Sequence, residues 1–387
     1  MKAFPFLLVG IYFPFGLGIP TVEACSLRGN KHVQQYNAWT TQDNKLLYEG
    51  NVFRLKGVNW NGFESDCRVI HGLWANPVEH YLDLLKAQHF NALRIPLSFE
   101  IMENMWLPIK ASCATADPSI YPDMTVHAYL GVFLDKIRSR GMFALFDLHT
   151  IGDRITEYPW TDDVNEDRVV EAWTNFAQAF GHHPAVMGLE IKNEPHGPCS
   201  TADFHRHSAT VIAHIGSRFN GLYFIDGTAR SPIDGTKAPW GGTFEEISRT
   251  CDDDPLCKLG MFQKIVFAPH VYGPDVRGEN ALVENDDTFE RRYGFLKRHP
   301  YFNGSAIVVT EFGGRMRDDD GPDYRYFQRW KMYMDRVNLT AGAFFWTFPP
   351  SSYDTGGFLN DDWQTIDQRK LDFLKSVQPS PSNVFIC

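Results

Sequence analysis

Beyond residue 24 the 387-residue chain lacks any apolar run long enough to cross a bilayer as a helix, which excludes a helical membrane protein. It lacks an excess of basic residues: 37 Lys and Arg stand against 47 Asp and Glu, a net charge of −10. Nucleic acid and anionic membrane surfaces are therefore not expected as partners. None of its seven cysteines forms a CxxC pair, and its His and Asp residues make no cluster of usual ligand spacing. No metal or cofactor is expected. No linker, internal repeat or low-complexity tract marks off a second domain, so one large domain acting as a monomer is expected.

The chain opens with Lys2 and an apolar stretch from Phe4 to Ile19, followed by small residues at Val22 and Ala24. That is the pattern of a secretory signal over residues 1–24, and it predicts an extracellular protein. Cys25, Cys67, Cys113, Cys199, Cys251, Cys257 and Cys387 fit an oxidising compartment. Cys251 and Cys257 are close enough in sequence to close a small loop. The odd count leaves one thiol free or paired between chains. Sequons at Asn303-Gly304-Ser305 and Asn338-Leu339-Thr340 agree with secretion, and each precedes a predicted strand. They are therefore expected at the N-terminal end of the strands.

Residues 25–50 are polar and read as a lead-in, 51–378 as the folded domain and 379–387 as a short tail. Within the domain, short apolar runs bounded by Gly and Pro alternate with segments of helical periodicity. Strands are predicted at 52–60, 91–96, 142–147, 186–191, 222–225, 264–268, 306–310 and 341–346. Helices are predicted at 77–88, 124–140, 165–180, 203–219, 288–298, 323–337 and 367–377. Eight strands alternating with helices predict an α/β fold, a parallel (β/α)8 barrel.

In such a barrel the chemistry collects where strands hand over to loops. The run Val186 to Ile191 stops at Lys192-Asn193-Glu194-Pro195-His196-Gly197, and the run Ala306 to Thr310 stops at Glu311-Phe312-Gly313-Gly314. A lone glutamate at a strand end is commonly a salt-bridged surface residue. Two in the same setting are the minimum equipment for hydrolysing a glycosidic bond: one carboxyl protonates the leaving oxygen and the other supplies an anion at the oxocarbenium-like centre. Other strand ends carry Trp60, Arg94, His149, His270 with Tyr272, and Trp346. Arg94 and Tyr272 can keep a nucleophilic carboxylate ionised. Asn193 can donate to a sugar hydroxyl, His149 and His270 can hydrogen-bond the carboxylates or the sugar, and Trp346 can form a platform under it. Aromatic residues make up 14% of the chain, which suits a sugar cleft as well as a core.

Taken together, Arg94-Ile95-Pro96, Asn193-Glu194-Pro195, His270-Val271-Tyr272 and Glu311-Phe312-Gly313 resemble glycoside hydrolase family 5, a retaining clan of (β/α)8 barrels. The resemblance runs over residues 50–377 and is nearest the endo-β-1,4-glucanase (cellulase) branch. Three stretches carry that branch: Gly57 to Glu64 with Val69 to Trp74, Ile191 to Gly197, and Asp354 to Trp363. It implies Glu194 as acid/base, Glu311 as nucleophile, and Arg94, His149, Asn193, His270, Tyr272 and Trp346 around them. It further implies Trp60, His71 and Trp240 as cleft residues contacting outer sugars, with a β-glucan polysaccharide as substrate. Arg315, just past Glu311, departs from the pattern and either reaches a substrate hydroxyl or pairs with Asp318 to Asp320. The competing expectations are the same barrel acting on mannan, xyloglucan or β-1,3-glucan, and a non-catalytic carbohydrate-binding protein.

Overall fold

The computed structural model describes residues 38–152, 158–231, 238–247, 250–318, 321–339 and 341–386. The signal segment, Cys25 and Cys387 lie outside them. Three short antiparallel strands come first: β1 (Trp39–Gln42), β2 (Lys45–Tyr48) and β3 (Asn51–Phe53). The described part of the predicted lead-in is therefore ordered sheet. Its first turn is Asp43-Asn44, with φ of 50° and 59°. Two central residues of positive φ match the twist of a tight hairpin, and Asp and Asn tolerate that conformation better than most.

The barrel strands follow as β4 (Leu55–Asn59), β5 (Ala92–Ser98), β6 (Phe143–Thr150), β7 (Val186–Glu190) and β8 (Leu222–Asp226). The sixth position is split into β9 (Ile265–Ala268) and β10 (His270–Tyr272), the seventh into β11 (Ala306–Ile307) and β12 (Val309–Gly313), and β13 (Gly342–Phe345) is the eighth. Each position pairs in parallel with the next, and β13 pairs with β4, so the ring closes as a (β/α)8 barrel. The boundaries agree closely with the sequence pattern. Two differences bear on the site: His149 lies within β6, and β12 continues past Glu311 to Gly313.

The outer helices form where apolar stripes meet good caps. Helix Val126–Ser139 is capped by Thr125, Glu166–Phe180 by Asn165 and Thr201–Ile215 by Ser200, each side chain accepting from a backbone N–H of the first turn. Val169, Val170, Trp173, Phe176, Ala177 and Phe180 make the buried stripe of the second of these.

Strand alternation separates two cores. Ala144, Phe146 and Leu148 of β6 face the helices, whereas Phe143 and Leu145 face the barrel axis. The axial core also takes Leu55, Met187, Leu222, Phe224, Val266 and Phe344. Space there is tight: a Cβ on Gly57 would fall 2.2 Å from the Phe344 ring. Trp39, Leu46 and Phe53 of the small sheet join this core from the N-terminal end of the barrel. Ile386 joins it too, and the Ser382 carbonyl accepts from the Asn91 amide. The described part of the predicted tail is thus docked against the domain.

Candidate active site

Toward the C-terminal end the barrel interior changes from apolar to charged. Asn59, Arg94, Asp147, Glu190, Asp226 and His270 are each at most 1% exposed. Arg94 is their hub, and each of its five N–H groups has an acceptor. Nε and Nη2 donate to the two carboxylate oxygens of Glu190, both at 2.8 Å. Nη2 also donates to Asn193 Oδ1 at 2.8 Å, and Nη1 donates to Asn59 Oδ1 at 2.9 Å and Glu311 Oε1 at 2.5 Å. A guanidinium is the side chain with five donors in a fixed fork. Burial raises the cost of the Glu190 charge, but Arg94 outweighs it and holds Glu190 well below the usual carboxylate range.

Glu311 is 3% exposed and accepts a second hydrogen bond from Tyr272 Oη at 2.5 Å. Burial and the Glu311 charge push the Tyr272 phenol well above its ordinary pKa, so it stays a donor. Glu194 lies across from Glu311, and His270 touches both. His270 Nδ1 is 2.9 Å from Glu194 Oε1 and 3.5 Å from Glu311 Oε2. Burial pulls the imidazole pKa down, but the carboxylates of Glu311, Asp226, Glu190 and Glu194 outweigh it and hold it well above its usual value. Carboxylate oxygens of Glu194 and Glu311 lie within 4.8 Å of one another. The two glutamates differ in surroundings: Glu311 has a guanidinium and a phenol, whereas the Glu194 side chain is 16% exposed at the cleft.

Glu194 also has a left-handed backbone, φ 48°. A non-glycine residue pays about 1–3 kcal/mol for such a conformation. It is held there by the Asp226 carboxylate, which accepts from the Glu194 N–H at 2.8 Å. Lys192, buried just before, donates to the Asn193 carbonyl at 2.6 Å. Burial pushes its pKa down to about 8.

His149, Asn193, Glu194, Trp240, Tyr272, Glu311 and Trp346 line one cleft of about 390 Å³. The His149 and Trp346 rings are parallel, 5.4 Å apart. His149 Nδ1 lies 2.8 Å from Asp147 Oδ2, and that carboxylate raises the His149 pKa against the opposing effect of burial. Asn193 gives its oxygen to Arg94, which leaves its NH₂ for the cleft. Trp240, 52% exposed, stacks on His196 at 3.9 Å and forms one wall.

Two expected cleft residues are elsewhere. Trp60 is fully buried among Tyr81, Phe133 and Phe348, and its Nε1 donates to the His71 carbonyl. It is a core residue that no sugar can touch. His71 does not line the 390 Å³ cleft; it sits by Ser65 and Trp74, and Trp74 meets Trp363 edge to face at 4.7 Å. Arg315 donates to the backbone carbonyls of Tyr353 and Asp354, and so ties down the loop whose Asp354 lines the cleft; Asp319 and Asp320, two of its expected partners, lie outside the described residues.

Glu190, Asp226, Asp147 and Asn59 escaped the sequence reading, although Glu190, Asp147 and Asp226 are acids within or closing apolar strands, which is the available signal. Strand closure also gathers two acid–imidazole sets that sequence spacing does not reveal: Glu190 with Asp226 and His270, and Glu194 with His270 and Glu311. A divalent cation at either would stand close to the Arg94 guanidinium, which is bonded to Glu190 in one set and Glu311 in the other, an unfavourable place for it. The arrangement suits proton transfer and nucleophilic attack at a bond held between two carboxyls. Among the described residues Cys67 pairs with Cys113 and Cys251 with Cys257, leaving Cys199 as a buried thiol.

Residues 49–352 match the model of the cellulase family, glycosyl hydrolase family 5. The chain is 31% identical over 354 residues to the major extracellular endoglucanase of Xanthomonas campestris pv. campestris, covering 86% of this chain and 69% of that protein. It is 26% identical over 387 residues to an endoglucanase of Paenibacillus polymyxa, covering 94% and 90%. The catalytic domain of the Xanthomonas enzyme superposes with a TM-score of 0.76 at 25% identity, over 88% of this chain and all of that one. An endocellulase of Pyrococcus horikoshii superposes with a TM-score of 0.76 at 28% identity, over 88% and 98%.

Proposed function

The chain belongs to glycosyl hydrolase family 5, and from that premise we propose that it is a secreted endo-β-1,4-glucanase acting with retention of configuration. The observation that carries the mechanism is the closeness of two unlike carboxyls, an oxygen of one lying within 4.8 Å of an oxygen of the other. Retaining enzymes hold theirs at about 5–5.5 Å, whereas inverting ones leave about 6.5–9.5 Å for a water. Glu311, oriented by hydrogen bonds from Arg94 and Tyr272, attacks the anomeric carbon. Glu194, on the cleft side, protonates the departing oxygen. Glu194 then takes a proton from water, which releases the sugar from the Glu311 ester. Asn193 donates to a hydroxyl of the reacting sugar, Trp346 stacks beneath it, and Trp240 receives a neighbouring sugar. No step needs a metal or a cofactor. The internal β-1,4-glucosidic preference is supported by the names of the relatives, and secretion by the residue 1–24 pattern.

The test is hydrolysis of carboxymethyl-cellulose by the parent and its Glu194→Gln and Glu311→Gln variants, with mannan, xyloglucan and β-1,3-glucan as controls. NMR of the first-formed product reads the anomer. β-Product from cellulose, lost in both variants, is the expected result. α-Product overturns retention. Activity confined to a control polymer overturns the substrate. A folded parent inactive on all four polymers overturns the enzyme.

A further inference from the structure

We propose that Asp226 is a positioning residue that fixes Glu194 in its working geometry from two sides; the inference rests on reading Glu194 as the acid/base. One oxygen serves both sides. Asp226 Oδ2 accepts the Glu194 main-chain N–H at 2.8 Å, holding the left-handed turn that aims the side chain. The same oxygen lies 3.5 Å from His270 Nε2, and the other face of that imidazole, Nδ1, meets the Glu194 carboxylate at 2.9 Å. Asp226, His270 and Glu194 thus form a closed triangle around the proton-donating group.

The backbone around the triangle is arranged to keep it closed. Asp226 ends β8 and is 1% exposed. The Gly241 carbonyl accepts from both Gly227 N–H and His270 N–H, which ties the end of β8 to the start of β10. A Cβ on Gly241 would lie 3.1 Å from the His270 ring and 3.4 Å from Asp226 Oδ2, and its φ of 68° already favours glycine. The second Asp226 oxygen, Oδ1, is buried and has no hydrogen-bond partner among the described residues. Burial and the adjacent Glu190 charge raise the Asp226 pKa well above the usual range. Asp226 does not line the cleft, so it acts through Glu194 and not on the sugar.

A residue that serves only the acid matters only where the leaving group needs a proton. The experiment compares kcat/KM, which reports the first bond cleavage, on cellotetraose and on 2,4-dinitrophenyl β-cellobioside, whose leaving group departs unprotonated. Glu194→Gln is the reference: about 10²–10⁴-fold loss is expected on cellotetraose and little on the dinitrophenyl substrate. If that variant shows no split, the reading of Glu194 is wrong. With the reference in place, Asp226→Ala is expected to lose about 10–100-fold on cellotetraose and less than about threefold on the aryl substrate. Asp226→Glu, which keeps the carboxyl group but displaces the oxygen, should split the same way and replaces the alanine variant if that does not fold. Asp226→Asn keeps an oxygen for the Glu194 N–H and should stay within about fivefold of the parent on both substrates. Equal losses on both substrates in Asp226→Ala or Asp226→Glu, no loss in either, or an asparagine variant as damaged as alanine would each overturn the proposal.

Discussion

Replacing Arg94 by lysine keeps the charge and removes the fork. The guanidinium spends five N–H groups on five acceptors: two on Glu190 and one each on Asn193, Asn59 and Glu311. An ammonium has three, diverging from one atom, so at least two of these bonds are lost in a site with no exposure. Buried hydrogen bonds to charged groups contribute about 1.5–3 kcal/mol each, so the fold should lose about 3–6 kcal/mol. That is a large share of the roughly 5–15 kcal/mol typical of a domain. A lysine that follows the stronger pull of the Glu190 carboxylate leaves Glu311 with Tyr272 alone. Losing about 1.5–3 kcal/mol of support for the nucleophile lowers kcat by about 10–150-fold. Urea unfolding reads the first quantity, and initial rates on soluble cellulose derivatives read the second. An Arg94→Lys protein with an unchanged urea midpoint and kcat within threefold of the parent would refute the view that the fork, and not the charge alone, organises this layer.

Trp240→Ala should raise KM for cello-oligosaccharides about two- to tenfold at nearly constant kcat, from loss of a stacking wall worth about 0.5–1.5 kcal/mol. Trp60→Phe should instead leave KM alone and cost about 1–3 kcal/mol of unfolding free energy through the unpaired His71 carbonyl; the reverse pattern would reinstate Trp60 in the cleft. Removing Cys67–Cys113, which spans 46 residues, should cost about 4 kcal/mol and Cys251–Cys257, which spans 6, about 2 kcal/mol. Equal losses in paired Cys→Ala variants would show that loop length does not set the effect. Asp323 is buried, and that burial with the nearby Asp275 charge pushes its pKa up to about 7. A folded pKa above the unfolded value of about 3.9 means stability is fully present below about pH 4 and is lost as pH rises toward 7. Asp323→Asn should therefore match the parent at pH 4 and exceed it by on the order of 4 kcal/mol at pH 8; urea midpoints that differ equally at both pH values would exclude this.

The barrel was legible because strands buried on both faces read as short apolar runs with hard stops, as at 186–191 and 306–310. The glutamates were legible because each ends such a run. Trp60 has a strand-end position but the wrong parity for the cleft. Gly57 faces the axis against Phe344, so Asn59 faces it as well and Trp60 points out to the helices. Counting in twos from Gly57 would have exchanged them. Asp226 reads in sequence only as the polar end of an apolar run, since its partners are His270 on β10 and Glu194 in the loop after β7. The turn at Asp43-Asn44 is a readable hairpin signal within a stretch that otherwise reads as a polar lead-in. The Cys67–Cys113 pairing was not readable, because nothing local couples residues that far apart.

The charged layer takes its members from successive strands in fixed register: Asn59 lies beside Arg94, Asp147 beside Glu190 and His270 beside Glu311. A substitution in one of these strands changes one member. A single-residue insertion or deletion changes the parity of everything beyond it. One residue lost early in β6 would turn Asp147 toward the helices and swing Leu148 into the ring around Arg94. Lineages descending from this chain can therefore vary their strands in composition but scarcely in length. Differences in length, and the new specificities that come with them, are confined to the loops above the rim.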